Sequence, residues 1–188
     1  ILPKVKEADP IGMVPSSSTS ITLLFGDSLM SALLAKQKFT KERFKIYHPG
    51  GNIGKSLLLA KDLMLKGNKI PLINFNSNID KAIKIINQKN LGIGIIIKKN
   101  NVIGIVTDGD MRRGLKNYSK KTKITSLMTK RPMFVGENLS AEKALSIMSD
   151  KKITSLIVSS DKDFKKRKSV FKPKGILHIH SLLKYGMR

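Results

Sequence analysis

Cysteine and tryptophan are absent from this 188-residue chain. The first absence excludes a disulfide scaffold, thiolate zinc sites and a cysteine nucleophile. Aromatic residues make up only 5% of the chain, which leaves few rings on which nucleobases could stack. Acidic residues are scarce too: 13 Asp and Glu stand against 36 Lys and Arg, a formal net charge of +23. Such an excess attracts any polyanion at low salt and therefore names no partner. The lysines are spread evenly, with Ile and Asn abundant beside them, as drift in an AT-rich coding sequence would produce, and no specific nucleic-acid partner is expected. No apolar run approaches the roughly 20 residues of a membrane span, so no membrane partner is expected either. The chain begins at Ile1 with no basic-then-apolar leader. That reads as a trimmed start or a piece of a longer chain, while the absence of cysteine reads as a cytoplasmic protein. What is present, 40% hydrophobic and 26% charged residues, fits one or two compact globular units.

The chain repeats itself. Asp62-Leu63-Met64 returns as Ser126-Leu127-Met128, each followed by a proline, Pro71 and Pro132. Asn78 and Ser140 are good N-caps, and each opens a segment whose apolar residues return at helical spacing, through Ile86 in one and Met148 in the other. Lysines close each helix, as suits its dipole. Apolar strands follow at 91–97 and 153–158, then second strands at 102–106 and 175–177, then short helices beginning near Met111 and Leu182. Ala144 stands 62 positions after Ala82, and Val158 stands 62 after Ile96, so one register spans helix and strand. Gly175 stands 71 after Gly104. The second copy thus carries nine extra residues between its two strands. They include the basic run Lys162 to Lys168, which reads as a solvated hairpin tip.

The first copy closes on Gly104, Thr107 and Asp110: a glycine, two apolar residues, a hydroxyl, two spacers and a carboxylate. A hydroxyl and a carboxylate so spaced can cap the helix that follows, or can hold the ribose hydroxyls and phosphate of a nucleotide. The corresponding residues of the second copy are His178 and Ser181, so the carboxylate is missing there. His178 and His180 alternate at a strand end, but no third ligand stands at useful spacing, and no metal site is expected. Two tandem strand-helix-strand-strand-helix units, the first ending in Gly104-Ile-Val-Thr-Asp-Gly-Asp110, resemble the paired CBS domain over about residues 58–188. The resemblance implies CBS domains at 58–121 and 122–188, related by a pseudo-twofold axis with their sheet faces buried against each other. It also implies a cleft for a nucleotide or nucleotide-sugar at Thr107 and Asp110.

The residues before the repeats differ in kind. Pro15 to Ser20 offers hydroxyl caps to a helix in which Ile21, Leu24, Phe25, Leu29, Leu33 and Leu34 form a wide face for burial. A short helix over 41–47 stops at His48-Pro49-Gly50-Gly51. A histidine in such a loop has a free imidazole edge able to move protons near neutrality, or is only a turn residue. Four strings carry a second resemblance: Lys6-Glu7-Ala8-Asp9-Pro10, Pro15 to Ser20, Gly26-Asp27-Ser28-Leu29, and Tyr47 to Gly54. With Thr107 to Arg113 in the first repeat, they are similar to the bacterial arabinose 5-phosphate isomerase family, in which a SIS sugar-isomerase domain precedes a CBS pair.

This resemblance implies a mixed α/β (α+β) protein in which residues 1–57 are the tail end of a SIS domain. It implies an aldose–ketose isomerisation of ribulose 5-phosphate through an enediol, supplying Kdo for lipopolysaccharide. Glu7 is then the proton-transfer base and His48 the ring-opening or carbonyl-polarising group, tasks suited to a carboxylate and an imidazole. It further implies a sugar phosphate substrate, no cofactor and a homotetramer. The resemblance also implies that the parallel sheet of the SIS domain, with its Gly-Lys-Ser loop and Ser-rich phosphate loop, is missing from this chain, Gly54-Lys55-Ser56 and Pro15 to Ser20 being read as parts of the domain's tail end. The expectation is therefore a C-terminal portion of the isomerase without turnover by itself. The reading from another class is a stand-alone CBS pair that senses adenine nucleotides.

Overall fold

The computed structural model describes residues 1–47, 51–114, 119 and 121–187, and the expected catalytic His48 lies outside them. The chain divides into two units, residues 1–49 and 50–188.

The first unit consists of α1 (Ser17–Lys36), α2 (Lys41–Tyr47) and the segment leading into them. Phe39 stacks on Tyr47 at 6.2 Å and meets Phe44 edge-on at 6.5 Å, which ties the connecting turn to α2. The face of α1 expected to be buried is open: Leu24 is 67% exposed and Phe25 56%. The helix forms, but its apolar side chains lie all round it rather than along one stripe, and no described residue of 1–47 is buried. Its hydroxyls turn inward on the helix itself. Ser20, Thr22 and Ser28 donate to the carbonyls of Ser16, Ser18 and Leu24 at 2.9, 2.9 and 2.7 Å, which hides their polarity. By length and composition α1 is apolar enough to cross a membrane, which corrects the expectation that no stretch reaches that mark. A helix apolar on every side is one suited to burial on every side.

The second unit opens with α3 (Gly51–Ser56) and α4 (Ala60–Leu63) and then runs twice through one order. The first copy gives β1 (Leu72–Asn74), α5 (Ile79–Lys89), β2 (Ile93–Lys98), β3 (Asn101–Thr107) and α6 (Asp108–Gly114). The second gives β4 (Thr129–Lys130), β5 (Phe134–Gly136), α7 (Ala141–Asp150), β6 (Ser155–Ser159), α8 (Asp161–Lys165), β7 (Gly175–His178) and α9 (Ile179–Lys184). The helix starts are where the sequence places them. Asn78 accepts from the Lys81 amide at 2.9 Å and Ser140 from the Lys143 amide at 3.3 Å, each satisfying a donor that the first turn leaves free. α5 ends on Lys89, whereas α7 ends on Asp150 and its lysines follow it.

Each copy builds the same sheet: β1 runs parallel to β2 and β2 antiparallel to β3, as β5 runs parallel to β6 and β6 antiparallel to β7. The lead-in segments are exchanged. β4 joins β3 across Ile105↔Thr129, while Leu65 bridges Ile176 of β7. The amide of Ala60 donates to the Leu139 carbonyl and that of Ala141 to the Leu58 carbonyl, both at 2.8 Å. Ala60, Leu63 and Met64 accordingly pack with Val135, Ala144, Met148 and Leu156 of the second copy. Ile124 packs with Ile73, Ile86 and Ile96 of the first. A third cluster, including Ile70, Ile95, Val102, Ile157 and Ile176, lies between the two sheets, so the sheet faces are buried against one another.

The nine-residue insertion departs from expectation. It is not a free basic loop: it forms α8, capped by Ser160, whose hydroxyl accepts from the Asp163 amide at 3.1 Å. It then returns Phe171 to the inter-sheet core at 3% exposure. Phe171 stacks on Phe134 at 4.0 Å, Phe164 meets that ring edge-on at 5.9 Å, and the Val102 amide donates to the Phe171 carbonyl at 2.8 Å. Phe171 anchors the end of the insertion by burial, while Phe164 stays 40% exposed and the lysines of 162–168 remain solvated as expected.

Candidate functional site

β3 delivers Thr107 to the start of α6, where its hydroxyl and the Asp110 carboxylate find each other. The Thr107 amide and hydroxyl donate to Asp110 Oδ2 at 2.9 and 2.8 Å, and the Asp110 amide donates back to Thr107 Oγ1 at 3.3 Å. This reciprocal pairing is a capping box. Arg113 reaches the other carboxylate oxygen at 2.6 Å. Burial works against the ionised form of Asp110, but the hydrogen bonds from Thr107 and the Arg113 charge overcome it and hold the carboxyl below its ordinary value.

Beside this cap lies a cavity of about 570 Å³ between the two copies. Its apolar wall is Ile93, Ile105, Ile153 and Ile157, and its polar groups are Thr107, Asp108, Thr129, Thr154 and Ser155, with Arg131, Lys151 and Lys152 as cations. Asp110 does not line it. The acid that does is Asp108, whose amide donates to the Gly92 carbonyl at 3.0 Å. A Cβ on Gly92, at φ 63°, would stand 3.3 Å from Asp108 Oδ2. The Ser155 hydroxyl is buried and has no hydrogen-bond partner among the described residues, an arrangement that costs free energy. Of the two expected ligand residues, then, the structure brings Thr107 to the cavity and turns Asp110 to the helix. The repeat register held a signal for one missed residue: Ser155 occupies the place of Ile93, a hydroxyl where the first copy has a hydrocarbon.

At the matching point of the second copy, His178 caps α9, its Nδ1 accepting from the His180 amide at 3.2 Å. The two rings meet edge-on at 4.7 Å. Burial, and the neighbouring His180 charge, push the His178 imidazole below its usual value. Among the described residues no three His, Cys, Asp or Glu gather as a metal site would require.

In the first unit Glu7 sits at the N-terminus of α1. Its Oε2 accepts from the Ser16 amide at 2.8 Å, the Ser16 hydroxyl at 3.1 Å and the Ser18 amide at 3.2 Å. Hydrogen bonds from Ser18 and Ser16 lower its pKa to about 2. The carboxylate, rather than the serine hydroxyls, caps the helix. It stays ionised at neutral pH, as a general base must, but a carboxylate held so low is a weak base.

The CBS domain family matches residues 60–117 and 124–188. The chain is 37% identical over 187 residues to protein RP505 of Rickettsia prowazekii, covering 99% of this chain and 56% of that one. It is 38% identical to arabinose 5-phosphate isomerase KdsD of Salmonella typhimurium and 37% identical to that of Escherichia coli K12. In each case 97% of this chain and 54% of the relative are covered. The chain thus spans little more than half the length of these relatives. Among solved structures, the fold is that of the CBS domain pair of protein MJ0100 in complex with 5′-methylthioadenosine and S-adenosyl-L-methionine, with TM-score 0.57, 22% identity, and 68% and 94% of the two chains covered. It is likewise that of CBSX2 in complex with AMP, with TM-score 0.56, 19% identity, and 69% and 96% covered.

Proposed function

The chain belongs to the CBS domain family, and from that premise we propose that its paired repeats are the ligand-sensing part of an arabinose 5-phosphate isomerase, taking an adenine nucleotide into the cleft between them. The observation that carries the nucleotide reading is the cleft itself, which gathers an apolar wall, hydroxyls and three cations around about 570 Å³ of space. A nucleotide-sugar would meet the same groups. Isothermal titration of the chain with AMP at physiological salt tests this reading, and absence of binding would remove it.

Support for the isomerase part is that similarity to the KdsD relatives runs through the first unit as well as the repeats. In the assembled enzyme the substrate is a sugar phosphate, and its isomerisation needs a base to move a proton between adjacent carbons and a group to open or polarise the sugar. Glu7 and His48 are the residues we assign to these tasks. α1, apolar on every side, would take its cover from the isomerase domain, and Glu7 holds the start of that helix. The assembled enzyme is proposed as a cytoplasmic homotetramer. The test joins this chain behind the part of the Escherichia coli relative that it does not match. That chimera should interconvert ribulose 5-phosphate and arabinose 5-phosphate, with His48→Ala lowering the rate about 10²–10⁴-fold, as loss of a positioned acid-base group does. The 188-residue chain by itself should show no turnover. A stand-alone sensing module remains the reading if the chimera binds nucleotide and fails to isomerise.

A further inference from the structure

The insertion between β6 and β7 is a part of the second copy that the fold itself does not require, since the first copy closes the matching strand pair with the turn Lys99-Asn100, at φ 49° and 64°. Seven of the 13 residues from Lys162 to Lys174 are basic, against 36 of 188 in the whole chain, so the general drift toward lysine does not account for them. Its acids are turned to internal use. Asp163 accepts from the Ser160 hydroxyl at 2.9 Å and pairs with Lys168 at 2.7 Å, Asp161 accepts from the Asn138 amide at 3.2 Å, and the neighbouring Glu137 pairs with Lys174 at 2.6 Å. Lys162, Lys165, Lys166, Arg167 and Lys172 are left exposed, with no ion pair among the described residues. The tip that displays them has a fixed shape. The Arg167 amide donates to the Phe164 carbonyl at 2.9 Å and the Lys168 amide to the Asp163 carbonyl at 3.2 Å, with Arg167 at φ 46°, and buried Phe171 anchors the return. Two apolar side chains share the tip with the cations, Phe164 at 40% exposure and Val170 at 52%. Cations around exposed apolar side chains match a bilayer, whose anionic headgroups lie over hydrocarbon. The phosphates of a nucleic acid would leave Val170 nothing to enter, and the five-residue α8 is too short to follow a groove. We propose that the insertion docks this chain on the surface of an anionic bilayer, its five cations meeting headgroups while Phe164 and Val170 enter the headgroup boundary. This departs from the expectation of no membrane partner, which rested on the lack of a spanning run; lying on a membrane needs none.

Sedimentation of the full chain with vesicles at physiological salt tests this, comparing equal parts phosphatidylglycerol and phosphatidylcholine with phosphatidylcholine alone. Because the apolar α1 is present throughout, the readout is the ratio of partition on the two kinds of vesicle, in which apolar attraction common to both cancels. The ratio should fall about a hundredfold, roughly fivefold per cation, in the triple variant Lys165→Gln, Lys166→Gln, Arg167→Gln. The same number of cations removed from α5 and α7, as Lys81→Gln, Lys84→Gln and Lys143→Gln, should lower it less than about threefold. Val170→Ser should weaken binding to the anionic vesicles about three- to tenfold. All these side chains are exposed, so every variant should keep the urea midpoint of the parent. A parent indifferent to lipid charge would overturn the proposal. Equal loss in the α5 and α7 control would show the net charge at work and overturn it too. Undiminished binding by Val170→Ser would overturn entry of the tip into the headgroup boundary. Double-stranded RNA held by the parent as tightly as the vesicles, and released by the first triple variant, would make the tip a nucleic-acid contact and overturn the bilayer as its partner.

Discussion

Gly104 and Gly175, which stand in register before Thr107 and His178, are held by packing rather than by a ligand. A Cβ on Gly104 would stand 2.7 Å from the Thr129 carbonyl oxygen and also strike Met128, and one on Gly175 would stand 2.7 Å from the Leu65 carbonyl oxygen and strike Met64. In both copies the exchanged lead-in backbone crosses the strand at that point, and a methionine could swing aside where a carbonyl cannot. Gly104→Ala should lower stability by about 1–3 kcal/mol, the usual cost of overpacking, measured as a shift of the urea midpoint. Asp110→Ala should cost about 1 kcal/mol by removing a helix cap, while AMP affinity, if the cleft is the site, changes little because the carboxylate faces α6. A large loss of affinity with unchanged stability would reverse that assignment. Because the Asp110 pKa is depressed, its contribution to stability is complete above the ordinary carboxylate value near 3.8 and is lost as pH falls through the folded value. The urea midpoints of the parent and of Asp110→Asn should therefore converge in acid.

Among the elements, those with local signals were legible. Capped amphipathic helices and apolar strands repeat at one offset, so α5, α7, β2, β3, β6 and β7 follow from spacing. Exchange of the lead-in segments was not legible, because Leu58 to Met64 and Ile124 to Met128 carry no mark of which core they fill; that is decided by long-range packing. The insertion misled for a related reason. Its lysines dominate the composition, whereas its return to the inter-sheet core is decided by Phe171. Phe171→Ala should cost about 3–5 kcal/mol, as truncation of a buried phenylalanine does, and loss of less than about 1 kcal/mol would mean that the insertion is peripheral after all. At α9 the capping His178 gives the second copy a pH dependence. Its folded pKa lies below the 6.5 of an unperturbed histidine, so in mild acid the unfolded chain takes up a proton that the folded one refuses. Stability should fall as pH drops through about 6.5 and level off below the folded value. His178→Asn, which keeps a capping acceptor and removes the titration, should flatten that slope, as urea midpoints at pH 7.5 and 5.5 would record.

For the whole molecule, what was legible at the candidate site is instructive about the rest. Thr107 reaches the cleft because its position follows from the strand-to-helix junction that the repeat marks. Arg131, Lys151 and Lys152 escaped notice because one basic residue among 36 carries no information until the fold gathers three around a cavity. The same contrast separates the two units. Residues 50–188 possess three buried clusters and two sheets, whereas no described residue of 1–47 is buried. Burial of apolar surface is the main term that offsets chain entropy, and helices without tertiary packing are marginal even at the 20-residue length of α1. A chain starting at Gly50 should accordingly unfold with the same urea midpoint as the full chain, within about 0.5 kcal/mol in stability, because the deleted part contributes no core. Limited proteolysis of the full chain should cut first within 1–49 and leave a resistant fragment close to 50–188. Removal of the apolar α1 should also reduce self-association at high concentration, since the exposed Leu23, Leu24, Phe25, Leu29 and Met30 form a surface of the kind that drives it. If deletion instead unfolds the repeats, or if α1 resists protease as long as they do, the first unit is packed in solution against something that contributes to the stability of the whole, and the division of the chain at Pro49 must be abandoned.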